Sequence, residues 1–348
     1  MKNNFKKNGN MRVRFETPEE RSEIIRILEE QRGFQIDDDL KRLTKIHQYD
    51  TRTFDLNIKF KTFNYWIQPF IGATMMSSGV RFYSAQEFFR IAELGFKVVP
   101  RYPIFHVPHN GWEFPEELME SVCVPQDIFL KYHGEMRDTD IIQAVPSAYR
   151  GGDMCHTFTI SRLLCDVERF IGPEEIMEQY GMGFCYEKAY DGMIIKHVTE
   201  ALKEKTLAHY REHHEWMNRI CNRHPRILLF DMHSYSDRII PDNFLQEGHP
   251  TPDLCIGTEN RFTPPDLKEI IRKRFTEVGF SVGFNYPYAG CYIPDTILSS
   301  ESSTDLAAIM LEFHKRTYCD PNGRSIPEKL RKIEMVVRQI IADCVDLR

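Results

Sequence analysis

The chain has no C-x-x-C pair, no long apolar run and no excess of positive charge. Its nine cysteines, at 123, 155, 165, 185, 221, 255, 291, 319 and 344, are odd in number and scattered. That pattern predicts reduced thiols, most of them core packing, and argues against a zinc site built from cysteines. About 20 consecutive apolar residues are needed to cross a bilayer, and no such stretch occurs. The N-terminus, MKNNFKKNGNMRVRF, carries basic residues but no apolar segment after them, so it does not read as a secretory signal. The net charge is −6, whereas phosphate binding requires an electropositive footprint. There is no internal repeat and no low-complexity tract. These absences predict a cytoplasmic protein with neither a nucleic-acid nor a membrane partner. They leave its oligomeric state open.

What is present is a chain able to build a core. Of its 348 residues, 42% are hydrophobic, enough for one large α/β domain or a main domain plus a smaller one. Residues 1–12 are expected to fray. Residues 17–33 predict a helix, with Thr17 and Glu20 as a capping box, Pro18 in the first turn and Gly33 as the stop. A second helix is expected over 37–48, alternating strands over 52–72, and a helix over 84–95. Residues 1–97 therefore read as an N-terminal elaboration packed on a main domain, 98–348. Within that domain the expected strands are 101–107, 226–232, 253–257, 280–285 and 307–313. The expected helices are 115–121, 138–144, 191–221, 265–278 and 326–345. Alternation of this kind predicts a three-layer αβα domain with a central mixed, largely parallel sheet. Ligand sites in such sheets collect at the carboxyl ends of the strands.

Two segments place histidines there. In 104-IFHVPHNGWEFP-115, His109 follows an apolar run and Glu113 follows four residues later. In 228-LLFDMHSYS-236, His233 follows another apolar run, behind Asp231. Two histidines and a carboxylate are a common ligand set for catalytic zinc, with a fourth position open to water. His109, Glu113 and His233 are thus the candidate metal ligands, and the reading is a metal-dependent hydrolase. Asp231 is expected to orient a ligand only if the backbone turns sharply at that point. His106, on the first strand, reads as a packed histidine. Phe63, Tyr65 and Trp66 read as core.

Five further segments complete an ordered set: 161-SRLLCDVERF-170, 180-YGMGFCYEKAYDG-192, 253-DLCIGT-258, 279-GFSVGFNYPYAGCYIP-294 and 311-LEFHKRTYCD-320. With the two histidine segments they resemble the N-formylglutamate amidohydrolase family, which is related to the zinc carboxypeptidases. The resemblance covers about residues 100–320 and implies a zinc-carboxypeptidase-like fold. Through PHNGWE and DMHSYS it implies zinc on His109, Glu113 and His233. Through LEFHKR it implies that Glu312 is the general base. Through SRLLCDVER it implies that Arg162 and Arg169 grip a substrate carboxylate. It implies a small N-acyl amino acid, such as N-formylglutamate, as substrate.

The chain departs from the family pattern at three places. Glu168 stands where the family has Asn, and His314-Lys315 where it has Asn-Arg. Glu212-His213-His214 stands where it has Pro-Tyr-His. All three departures are expected near the substrate. His214 is then either a transition-state stabiliser or a helix-surface residue. The turn-rich loop around Asn285, Tyr288, Gly290 and Tyr292 is either pocket lining, with Asn285 and Tyr292 touching substrate, or a structural turn. Two other functions fit the same sequence. One is a zinc-binding regulatory protein without turnover. The other is a metallopeptidase acting on larger substrates.

Overall fold

The computed structural model describes residues 10–15, 17–32, 51–57, 62–68, 82–95, 98 and 100–347. The helix expected over 37–48 lies outside them. The chain divides into two compact units, Met1–Tyr102 with Pro146–Gly152 and Val337–Arg348, and Pro103–Val145 with Asp153–Val336. Residues 146–152 and 337–348, expected in the second domain, thus belong to the first unit.

The first unit holds a four-stranded sheet in the order β3-β2-β1-β4. Its strands are β1 (Asn10–Phe15), β2 (Thr51–Asn57), β3 (Thr62–Gln68) and β4 (Phe82–Ser84). Of the residues expected to fray, Asn10, Met11 and Arg12 pair with β2 in β1, and 1–9 lie outside the described residues. Helix α1 (Pro18–Arg32) starts as expected. The Glu20 amide donates to Thr17 Oγ1 at 3.1 Å, and the Thr17 amide to the Glu20 carboxylate at 3.4 Å. Helix α2 (Ala85–Glu93) repeats the device with Ser84 and Glu87. Caps of this kind satisfy amides that the first helical turn leaves unpaired. Val13, Phe15, Ile24, Leu28, Phe88, Ile91 and Val345 form the unit's core.

The second unit is built on a six-stranded sheet, β6-β5-β7-β10-β8-β9. Its strands are β5 (Tyr102–Val107), β6 (Cys155–Thr157), β7 (Arg226–Tyr235), β8 (Leu254–Gly257), β9 (Val282–Phe284) and β10 (Asp305–His314). β7 and β10 run parallel, with His233 opposite Glu312, and β8 runs antiparallel to β10. With the helices this is the expected three-layer α/β arrangement around a mixed, mostly parallel sheet. The apolar runs ILLF and LAAIML are buried throughout, because central strands of such sheets are covered on both faces.

Two expected helices differ from the structure. The helix expected over 191–221 is α5 (Glu200–Cys221), capped by Thr199. Before it, Asp191 and Gly192 turn the chain so that the Ala189 amide reaches the Met193 carbonyl. The helix expected over 138–144 is a single 3₁₀ turn, Ile141–Ala144, because Asp140 takes a left-handed conformation. The helix of this region is instead α4 (Gln126–Met136), which follows the short α3 (Glu116–Met119). Strand β6 has only three residues and no alternation long enough to read. Helices α6 (Pro265–Glu277), α7 (Asp295–Leu298) and the C-terminal α8 (Pro327–Asp343) follow, α6 and α8 within two residues of their expected bounds. All nine cysteines are free. Among the described residues no helix is long and apolar enough to cross a membrane.

Candidate metal centre

β7 supplies the centre of the site. It is extended through residue 235, so Asp231 and His233 point to the same face two residues apart. Asp231 Oδ1 lies 3.0 Å from His233 Nε2. No sharp turn is needed, which corrects the expectation for Asp231. β5 ends at Val107, and Pro108 leads directly to His109. The two imidazoles meet with ring centres 5.0 Å apart.

The carboxylate between them is Glu168. It lies 3.1 Å from His233 Nε2 and 3.8 Å from His109 Nε2. His109, Glu168 and His233 place one donor atom each within 4.8 Å of one another. Glu168 is thus not on the substrate side alone, as its departure from the family pattern led us to expect. It faces the histidines.

Glu113 does not join this group. Gly111 passes so close to the 159–160 backbone that an added Cβ would sit 2.4 Å from the Ile160 carbonyl. The Glu113 amide then donates to the Thr159 carbonyl at 2.7 Å. Its exposed side chain accepts from the Thr159 hydroxyl at 2.8 Å. Residues 110–114 are not helical, so a spacing of four does not return Glu113 to the face of His109.

The donor set suits a divalent metal. His109 Nε2 faces two carboxylates, Asp166 at 2.8 Å and Glu168 at 3.8 Å, a surrounding that attracts a cation. His233 points the same way. Burial opposes its protonation, yet Glu168, Asp231 and Asp138 hold its pKa well above the usual range. A proton resides where the surrounding carboxylates would also attract a cation.

Asp166 is the hub of the polar network beside this group. It accepts from His109, from Arg162 Nη2 at 2.8 Å and from the Tyr186 hydroxyl at 2.8 Å. Burial opposes its ionisation, but His109, Arg162 and Arg169 keep its pKa well below the ordinary carboxylate value. Arg162 is nearly buried. Arg169 is more open, with its Nε 3.7 Å from Asp166 and donating to the Met182 carbonyl.

Glu312 sits beside His233 in register on β10. Burial raises its carboxyl to about 8; His233 opposes this, while Asp138 and Glu168 reinforce it. His214 is no surface residue. Its Nε2–H donates to the Val167 carbonyl at 2.9 Å, and its Nδ1 meets the Tyr292 hydroxyl at 3.1 Å. The Tyr292 amide donates to Asp231 at 2.9 Å, which ties that loop to the centre. Asn285 stands apart. It is exposed, has φ +51°, and its amide accepts from the Thr258 N–H and donates to the Thr258 hydroxyl. This is a structural turn, in keeping with asparagine's tolerance of positive φ. His314 meets Asp237, and buried Lys315 donates to the Glu135 and Arg137 carbonyls.

His106, which from the sequence reads as a packed histidine, is fully buried. It also lies 2.8 Å from Asp231. Its position two residues before Pro108-His109, on a strand aimed at the site, was the available signal. Glu168 carried one too, as a charged residue where the family places a neutral amide.

The family model for N-formylglutamate amidohydrolase matches residues 103–319. Among solved structures, an N-formylglutamate amidohydrolase from Ralstonia eutropha JMP134 is similar at 17% identity and a TM-score of 0.57. The match covers 72% of this chain and 95% of that one. A gene product of Agrobacterium tumefaciens is similar at 13% identity and a TM-score of 0.48, covering 71% of this chain and 91% of that one. No curated protein matches significantly. The first likeness bears on the fold, and the sequence match spans most of the second unit and well over half of the chain. On that match the chain belongs to the N-formylglutamate amidohydrolase family.

Proposed function

We propose that this protein is a zinc-dependent amidohydrolase that cleaves N-acyl amino acids such as N-formylglutamate. The observation that carries the reading is the trio of buried His109, half-buried Glu168 and buried His233, with Glu312 opposite His233. His109, Glu168 and His233 would hold the metal. When bound, zinc supplies a Lewis acid for the amide carbonyl and makes water acidic near neutral pH.

The remaining chemistry belongs to the chain's own side chains. Glu312, as carboxylate, takes a proton from the attacking water and returns it to the leaving amine nitrogen. Asp231 and Asp166 add negative charge beside the His233 and His109 nitrogens that face Glu168. Arg169 presents a planar fork to the carboxylate of the amino-acid portion, and Arg162 braces it through Asp166. His214 and Tyr292 close the side of the site next to Asp231.

This reading predicts that turnover requires a free carboxylate on the substrate. The test compares hydrolysis of N-formyl-L-glutamate with that of its α-amide and of short formyl peptides. A preference for the free acid of about tenfold or more is expected, from the strength of hydrogen bonds to charged groups. Arg169→Lys should reduce that preference although the charge is kept, because an ammonium cannot reproduce the fork. Equal kcat/KM for acid and amide would remove the arginines from substrate binding, and faster cleavage of peptides would favour a metallopeptidase.

A further inference from the structure

A second trio shares Glu168. His106, Asp231 and Glu168 also place one donor atom each within 4.8 Å of one another. His106 Nδ1 lies 2.8 Å from Asp231 Oδ1 and 3.6 Å from Glu168 Oε1. The other Glu168 oxygen, Oε2, is the one 3.8 Å from His109. Both oxygens lie 3.1 Å from His233 Nε2, and a carboxylate whose oxygens each reach a further histidine, His106 for one and His109 for the other, has the disposition of a bridging ligand, as in two-metal hydrolytic sites.

The far side of His106 is equally specific. Its Nε2 lies 3.0 Å from His213 Nε2. His213 Nδ1 lies 3.0 Å from His156 Nε2, and the His156 ring stacks on Trp216 at 4.0 Å. Two neutral imidazole nitrogens at that distance share one proton, so the three-histidine chain runs in one of two directions. If His106 Nε2–H donates to His213, and His213 to His156, then His106 Nδ1 keeps its lone pair. That lone pair then faces two carboxylates, which is unfavourable unless a cation lies between them. The reverse direction leaves Nδ1–H donating to Asp231. The chain therefore has one arrangement for a cation and one for its absence. In the first, His213 and His156 act as the outer partners that ligand histidines generally have.

We propose that His106, Asp231 and Glu168 hold a second divalent cation, bridged to the first through Glu168. The inference rests on the proposed function, since Glu168 belongs to both sites. One imidazole and two carboxylates make a more oxygen-rich set than the first, so this site suits Mn²⁺ as well as Zn²⁺. It should also release its ion first on dialysis.

Metal-stripped full-length protein is titrated with Zn²⁺, and bound metal is counted after gel filtration. Wild type should hold two equivalents per chain, and His106→Asn and His233→Ala one each. Wild type that saturates at one equivalent, lost in His233→Ala, would overturn the second site and leave the first reading intact. Wild type that binds no zinc would overturn both. Loading wild type with Mn²⁺ and recording its electron paramagnetic resonance keeps the proposal testable if His106→Asn fails to fold. A spin-coupled pair supports the bridge, and isolated ions alone at saturation contradict it.

Discussion

Replacing Glu168 by glutamine should weaken zinc binding by at least about 100-fold and abolish turnover at ordinary metal concentrations. Loss of a mere outer partner costs about 10–100-fold in metal affinity, and Glu168 lies inside the ligand group, 3.1 Å from His233. Glutamine keeps the shape but removes the charge that a divalent cation needs. Glu113→Gln should leave metal content unchanged, because that carboxylate is exposed and bonded to Thr159. Measuring zinc content and affinity of the two variants side by side separates the arrangement in the structure from the one the sequence suggested. Metal loss in Glu113→Gln with retention in Glu168→Gln would reverse the assignment.

Glu312→Gln should keep its metal and lose about 10²–10⁴ in kcat, the usual range for removing a general acid–base group. The amide is nearly isosteric and cannot accept a proton. Glu312 is buried next to the His233 position on the neighbouring strand. Burial raises its carboxyl to about 8, so it holds its proton at neutral pH until a neighbouring cation favours the carboxylate. The checking measurement is single-turnover hydrolysis on metal-loaded protein. A kcat within a few-fold of wild type would remove Glu312 from proton transfer.

Much of this was legible in the sequence. The apolar run at 228–230 reads as a buried strand, the run at 307–313 as a strand that could also begin as a helix, and the capping box at Thr17 marks one helix start. His109 and His233 are legible because each follows an apolar run, and Glu312 only through the resemblance of LEFHKR to the family segment. The third donor was not. A spacing of four between His109 and Glu113 suggests one face only in a helix, and this segment is held extended by its approach to Thr159. Glu168 lies far from both histidines in sequence, and only tertiary folding of the 161–170 segment brings it between them. His106, His213 and His156 come from a strand, a helix and another strand, so no local pattern could link them. Asn285 could be read either way because residues that permit turns also populate binding loops.

The most direct test is release of formate from N-formyl-L-glutamate by the full-length protein, measured before chelation, after chelation and after zinc is restored. Hydrolysis should disappear on metal removal and return on adding zinc. Full activity in protein shown to be metal-free, or no hydrolysis by protein shown to be loaded, would contradict the proposed function.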